Sequence, residues 1–68
     1  MGASKHIKKA ILDKDLSVND LADMIGKGSN ILSNQLWRDT WKFAEVETIA
    51  EKLNCEIVFV DKETGKQY

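Results

Sequence analysis

Apolar residues recur at helical intervals in four stretches of the chain, and the chain changes period only at its end. Ile7, Ala10, Ile11 and Lys14 predict a first helix over about 5–14, with Ser4 placed to cap it and Asp15-Leu16 to break it. Val18, Leu21, Ala22 and Ile25 then follow at i, i+3, i+4 and i+7, an amphipathic stripe that predicts a short helix over about 18–25. Ser17 stands before that stripe with Asp20 three residues on, close to a capping box that would satisfy free amides at the helix start. Gly26 comes directly after the last stripe residue, where a left-handed backbone ends helices at no steric cost. Lys27 and Gly28 make the turn, and Gly28 or Ser29 starts a third helix over about 29–37 whose apolar side is Leu32 and Leu36. Ser29, Asn30, Ser33 and Asn34 lie off that side and face solvent. "RDTWK" reads as a loop. Val46, Ile49, Ala50 and Leu53 repeat the same spacing and predict a fourth helix over about 44–53, with Asn54 able to stop it as Gly26 stops the second.

"CEIVFV", Cys55 to Val60, is β-branched and aromatic and predicts a strand over about 55–60. Residues 61–68 hold turn formers and read as a flexible tail, with only Gln67 and Tyr68 beyond Lys66 to form a returning strand. A lone strand exposing Ile57, Val58, Phe59 and Val60 is sticky, and antiparallel pairing with the same strand of a second copy resolves this economically. Packing of the segment on its own helices is the alternative.

Composition narrows the chemistry. Sixty-eight residues allow one domain, and a chain this short buries only about 60% of its unfolded surface, so efficient packing or a partner subunit must complete it. The single Cys55 and single His6 offer neither a disulfide nor a metal site, which fits a reducing, cytoplasmic setting. No apolar run reaches signal-peptide or bilayer-spanning length, and "MGASKH" departs from an acylation signal at His6. Ten basic residues against eleven acidic ones give a net charge of −1, unlike a strongly basic nucleic-acid binder. The distribution is uneven, however: Met24 to Arg38 contains no acidic residue, which leaves a surface able to approach phosphates.

"GKG" is no phosphate cradle. A dinucleotide loop would need a glycine at Ile31 and a preceding strand, and a Walker loop would need Ser or Thr after Lys27. Cys55 beside Glu56 is poorly placed for a thiolate, and the carboxylate pairs Asp20/Asp23 and Glu45/Glu47 sit on outer helix faces, so no catalytic constellation emerges. Trp41 and Phe43 read as core residues seating the fourth helix. Trp37 follows Leu36, leaves the core stripe and lies partly exposed, either against the loop or toward a ligand backbone.

A short capped helix, a glycine turn and a second helix with a small, amide-rich outer face outline a helix-turn-helix. "SVNDLADMIGKGSNILSNQL" resembles the lambda-repressor/Cro-like (XRE) family, with Leu21-Ala22, Ile25-Gly26 and Leu32-Ser33 at matching places, and the likeness extends over about 7–60. It implies a mainly α, compact four-helix domain with one short C-terminal strand, often acting as a two-fold dimer, which agrees with the strand pairing expected above. It also implies sequence-specific binding of double-stranded DNA as a transcriptional regulator, a repressor, without cofactor, metal, membrane or small-molecule ligand. Carried over by position, Ser29, Asn30, Ser33 and Asn34 face bases, and Ser17, Lys27 and Arg38 contact phosphates. Val18 departs from the family, which commonly has Gln there on a phosphate, and Lys27-Gly28 replace an apolar residue and a Ser or Thr. A protein-interaction module on the same scaffold, antirepressor-like, is the competing expectation.

Overall fold

The computed structural model describes residues 2–68 and is mainly helical: α1 (Ala3–Asp13), α2 (Val18–Ile25), α3 (Ser29–Arg38) and α4 (Phe43–Lys52). Each helix gives one face to a single core. Ile7 and Ile11 come from α1, Leu21 and Ala22 from α2, Leu32 and Leu36 from α3, and Ile49 from α4, with Leu53 just after it. Leu21 and Leu32 are sealed from solvent completely, and each such burial is worth about 1.5–3 kcal/mol. α2 packs on both α3 and α4, while α1 lies against α3.

Local chemistry fixes the ends of α2. The Ser17 hydroxyl oxygen accepts from the Asp20 N–H at 3.1 Å, and the Ser17 N–H donates to Asp20 Oδ2 at 2.8 Å, closing a full capping box. The Ser17 amide, then its hydroxyl, hold the Asp20 carboxyl below the usual carboxylate range. Gly26 ends the helix at φ +68°, and the Lys27 N–H returns to the Ala22 carbonyl at 2.9 Å. A Cβ on Gly26 would meet nothing within 4 Å, so conformation rather than space requires glycine.

The start of α1 differs from expectation. Gly2 is its N-cap and Ser4 lies inside the helix, buried. Capping comes instead from across the fold: Asp39, in a left-handed conformation after α3, accepts the Ser4 N–H on Oδ1 at 3.0 Å. The Trp41 indole N–H donates to Ser4 Oγ at 2.8 Å, so Ser4 clasps α1 to the α3–α4 connection. Trp41 packs against the core as its sequence position predicts, but Phe43 does not: it is 63% exposed, because α4 begins at that residue with its ring turned outward.

The C-terminal segment also departs from expectation. No strand runs over 55–60; one antiparallel bridge joins Val60 to Gln67. Residues 61–68 form a tight return rather than a loose tail, because Asp61 Oδ1 accepts from the Glu63 and Thr64 amides at 2.8 and 3.1 Å and Gly65 adopts φ +74°. The Asp61 N–H donates to the Lys66 carbonyl at 2.8 Å and the Tyr68 N–H to the Phe59 carbonyl at 2.9 Å. The chain measures 40 × 22 × 19 Å with a radius of gyration of 12.7 Å, above the roughly 11 Å of a compact 68-residue domain. The excess fits the exposed 54–60 segment, which is not absorbed into the core. Among the described residues, no helix is long and apolar enough to cross a membrane.

Candidate functional site

With Leu32 and Leu36 committed to the core, the opposite side of α3 carries Asn30, Ser33, Asn34 and Trp37, all exposed. Asn30, Asn34 and Trp37 stand at i, i+4 and i+7, so their side chains rise from one face of the helix. Ser29, the first residue of α3, is half-buried and lies at the margin of that face. The N-cap, Gly28, supplies no side-chain bond, and no acidic residue sits in the first turn. Arg38 ends the helix with its guanidinium exposed.

The three residues expected at phosphates stand in different circumstances. Ser17 uses its oxygen and amide in the α2 capping box, which leaves its hydroxyl hydrogen able to reach outward. Arg38 is exposed at the end of α3. Lys27 is engaged within the chain: its Nζ donates to Gln35 Oε1 at 2.6 Å and to Glu45 Oε2 at 3.1 Å. Gln35 Nε2 donates to the same Glu45 oxygen at 2.8 Å, so the turn, α3 and α4 meet at one carboxylate. Glu45 Oε1 meanwhile accepts the Lys42 N–H at 3.0 Å and caps α4. That backbone donor first, then Gln35 and Lys27, hold the Glu45 carboxyl down at about 2.

Sequence reasoning missed this triad. Lys27 and Glu45 are eighteen positions apart and Gln35 shares no apolar stripe with either, so only the packing of α2 on both α3 and α4 brings them together. Its one local trace is Glu45 itself, three residues into the fourth helix, where an acidic side chain reaches back to an N-cap amide.

The third group, Ile57, Val58, Phe59 and Val60, is exposed throughout, with Phe59 at 78%. Between this segment, α1 and α4 lies an apolar recess of about 410 Å³ lined by Ile7, Ala10, Val46, Ile57 and Val58 among others. The hairpin takes the Phe59 carbonyl and the Asp61 amide. Val60 pairs with Gln67 between those two bonds, so its own amide and carbonyl face the other edge, away from residues 66–68. Comparison with known protein families, curated proteins and solved structures found no match to this chain. What it does must be read from these surfaces.

Proposed function

We propose that this chain is a sequence-specific double-stranded-DNA-binding transcriptional regulator, a repressor, in which α2, the Gly26–Gly28 turn and α3 form a lambda-repressor/Cro-like helix-turn-helix and α3 enters the major groove. The observation that carries the reading is the outer face of α3: exposed Asn30, Ser33 and Asn34 on a helix seated by two buried leucines, within a stretch from Met24 to Arg38 that has no carboxylate. An asparagine amide bonds adenine bidentately at N6 and N7, and each such pair is worth about 1–3 kcal/mol of discrimination. Ser29 at the margin and Ser33 on the face reach a base edge or sugar, Arg38 holds a phosphate at the far end of α3, and the Ser17 hydroxyl holds one at the start of α2. Lys27 holds α3 against α4 through Glu45 rather than a phosphate.

The active form is a homodimer. The free Val58 and Val60 backbone edge pairs with its copy across a two-fold axis while the 59–61/66–68 return stays intact, burying Ile57 to Val60 and placing two α3 helices about 34 Å apart on successive turns of DNA. Selection of random duplexes with the purified protein, followed by the same experiment on Asn30→Ala/Asn34→Ala, tests the reading. Selective retention is lost in the double variant; retention that survives it rules out readout by α3. The second reading, a protein-interaction module on the same scaffold, draws on the engaged Lys27 and the net charge of −1, and it predicts that no duplex is enriched.

A further inference from the structure

The exposed indole of Trp37 belongs to none of the roles assigned above. It is 84% exposed, near the C-terminal end of α3, in a chain whose other tryptophan is bonded to Ser4 and packed on the core. Its neighbours on the outer face are polar: Asn30 at i−7, Ser33 at i−4 and Asn34 at i−3. Ile31, also exposed on α3, lies about 120° round the helix from it. A protein partner's apolar surface would ask for a cluster of apolar residues, and here a single large one stands in an amide-lined row. The surface that matches is a polar groove with an isolated apolar spot.

We propose that Trp37 reads thymine through its C5-methyl group, the one apolar feature of the major-groove edge, and so specifies a T·A pair beyond the pairs met by Asn30 and Asn34. This rests on the DNA reading above. Along α3 the Cα of Trp37 is about 4.5 Å past that of Asn34 and about 10 Å past that of Asn30, against a base-pair rise of about 3.4 Å. Trp37 is therefore farther along α3 than either asparagine, and the pair it meets lies outside those met by Asn30 and Asn34. Arg38, next in the chain, anchors this end of the helix to the adjoining phosphate. Removing the indole leaves the fold intact, because it contributes nothing to the core.

The test starts from a duplex enriched by the wild-type protein. Each thymine of one half-site is replaced in turn by deoxyuridine, which removes only the methyl, and binding of wild type and Trp37→Ala is followed by fluorescence anisotropy. One replacement weakens wild-type binding about fourfold, the worth of a single buried methyl, and leaves Trp37→Ala unchanged. Equal losses in both proteins, or a flat series in wild type, overturn the Trp37 assignment while the DNA reading stands. If no duplex is enriched, and Trp37→Ala instead abolishes association with a protein partner, both readings fall and the face is a protein-docking surface.

Discussion

Glu45→Gln separates two uses of one lysine. In the wild-type chain the Lys27 ammonium is held at 3.1 Å by Glu45 and at 2.6 Å by Gln35, so on the DNA-binding reading proposed above it is engaged within the chain and not on a phosphate. A glutamine at 45 keeps one oxygen for the Lys42 amide, but its Nε2 turns a donor toward the donors of Lys27 and Gln35. Lys27 then loses its ion pair and keeps only the neutral Gln35 oxygen, which, on the DNA-binding reading, frees it to turn to a phosphate beside the Gly26–Gly28 turn. Each phosphate neutralised contributes about −0.9 to the slope of log affinity against log salt. A dimer whose cationic contact is Arg38 has a slope of about −1.8, and adding Lys27 from each subunit takes it to about −3.6. Between 50 and 200 mM salt the first loses affinity about 12-fold and the second about 150-fold. Any further contacts enter both slopes equally, so the difference of about −1.8 is the quantity to read. The assay is anisotropy of a labelled, enriched duplex across that salt range, with Lys27→Ala made in both backgrounds. Lys27→Ala should leave the wild-type slope unchanged and cancel the gain in Glu45→Gln. Identical slopes for wild type and Glu45→Gln, or a shallower slope for Lys27→Ala alone, refute the withheld-lysine argument.

The same carboxylate sets an acid limit: its folded value of about 2 lies below the ordinary 4.5, so its stabilising contribution is complete above pH 4.5 and is lost as pH falls toward 2. Far-UV circular dichroism should show helix loss in that window, less steep in Glu45→Gln, with Asp20, Asp39 and Asp61 adding in the same direction. Leu32→Ala costs about 2–5 kcal/mol of the roughly 3–10 kcal/mol available to a 68-residue domain, whereas Phe43→Ala, at an exposed ring, stays within about 0.5 kcal/mol; urea unfolding of both checks where the core lies. Trp41→Phe leaves the buried Ser4 hydroxyl without its donor and costs about 1–3 kcal/mol, and Ser4→Ala made in wild type and in Trp41→Phe gives the coupling between the two in the same assay. Val58→Pro removes an amide from the free edge and none from the hairpin, so sedimentation should give a monomer with an unaltered helical spectrum.

What the sequence makes legible here is what neighbours in the chain decide. The Ser17/Asp20 capping box, Gly26 at φ +68° and Asn54 at φ +57° each follow from residues within a turn of one another, and the structure has all three. The four-helix pattern is visible for the same reason, since leucine and isoleucine spacing marks the core face without reference to a partner. What stays hidden is long-range. Ser4 looks like a cap for α1 until Asp39, thirty-five residues away, takes that role. Lys27 looks like a free cation until α4 brings up Glu45. Phe43 has the composition of a core residue, yet the phase of α4 turns it outward. At the C-terminus β-propensity alone forecasts a strand over 55–60, but within one chain just two or three residues can return beside it, so a single bridge at Val60 results.

The Ser4 clasp also bears on the order in which the molecule assembles. α2 and α3 are neighbours in sequence and in space, so their contacts close a short loop and are expected to form early, whereas the α2–α4 and α1–α3 contacts each close longer ones. α1 is held through partners thirty-five and thirty-seven positions away, a loop whose closure entropy is met only once Asp39 and Trp41 are already in place. The first helix in the chain is therefore expected to dock only after α2 and α3 have paired. In native-state hydrogen exchange its amides should open at a lower free energy than those flanking Leu21 and Leu32, making α1 a separate, weaker cooperative unit.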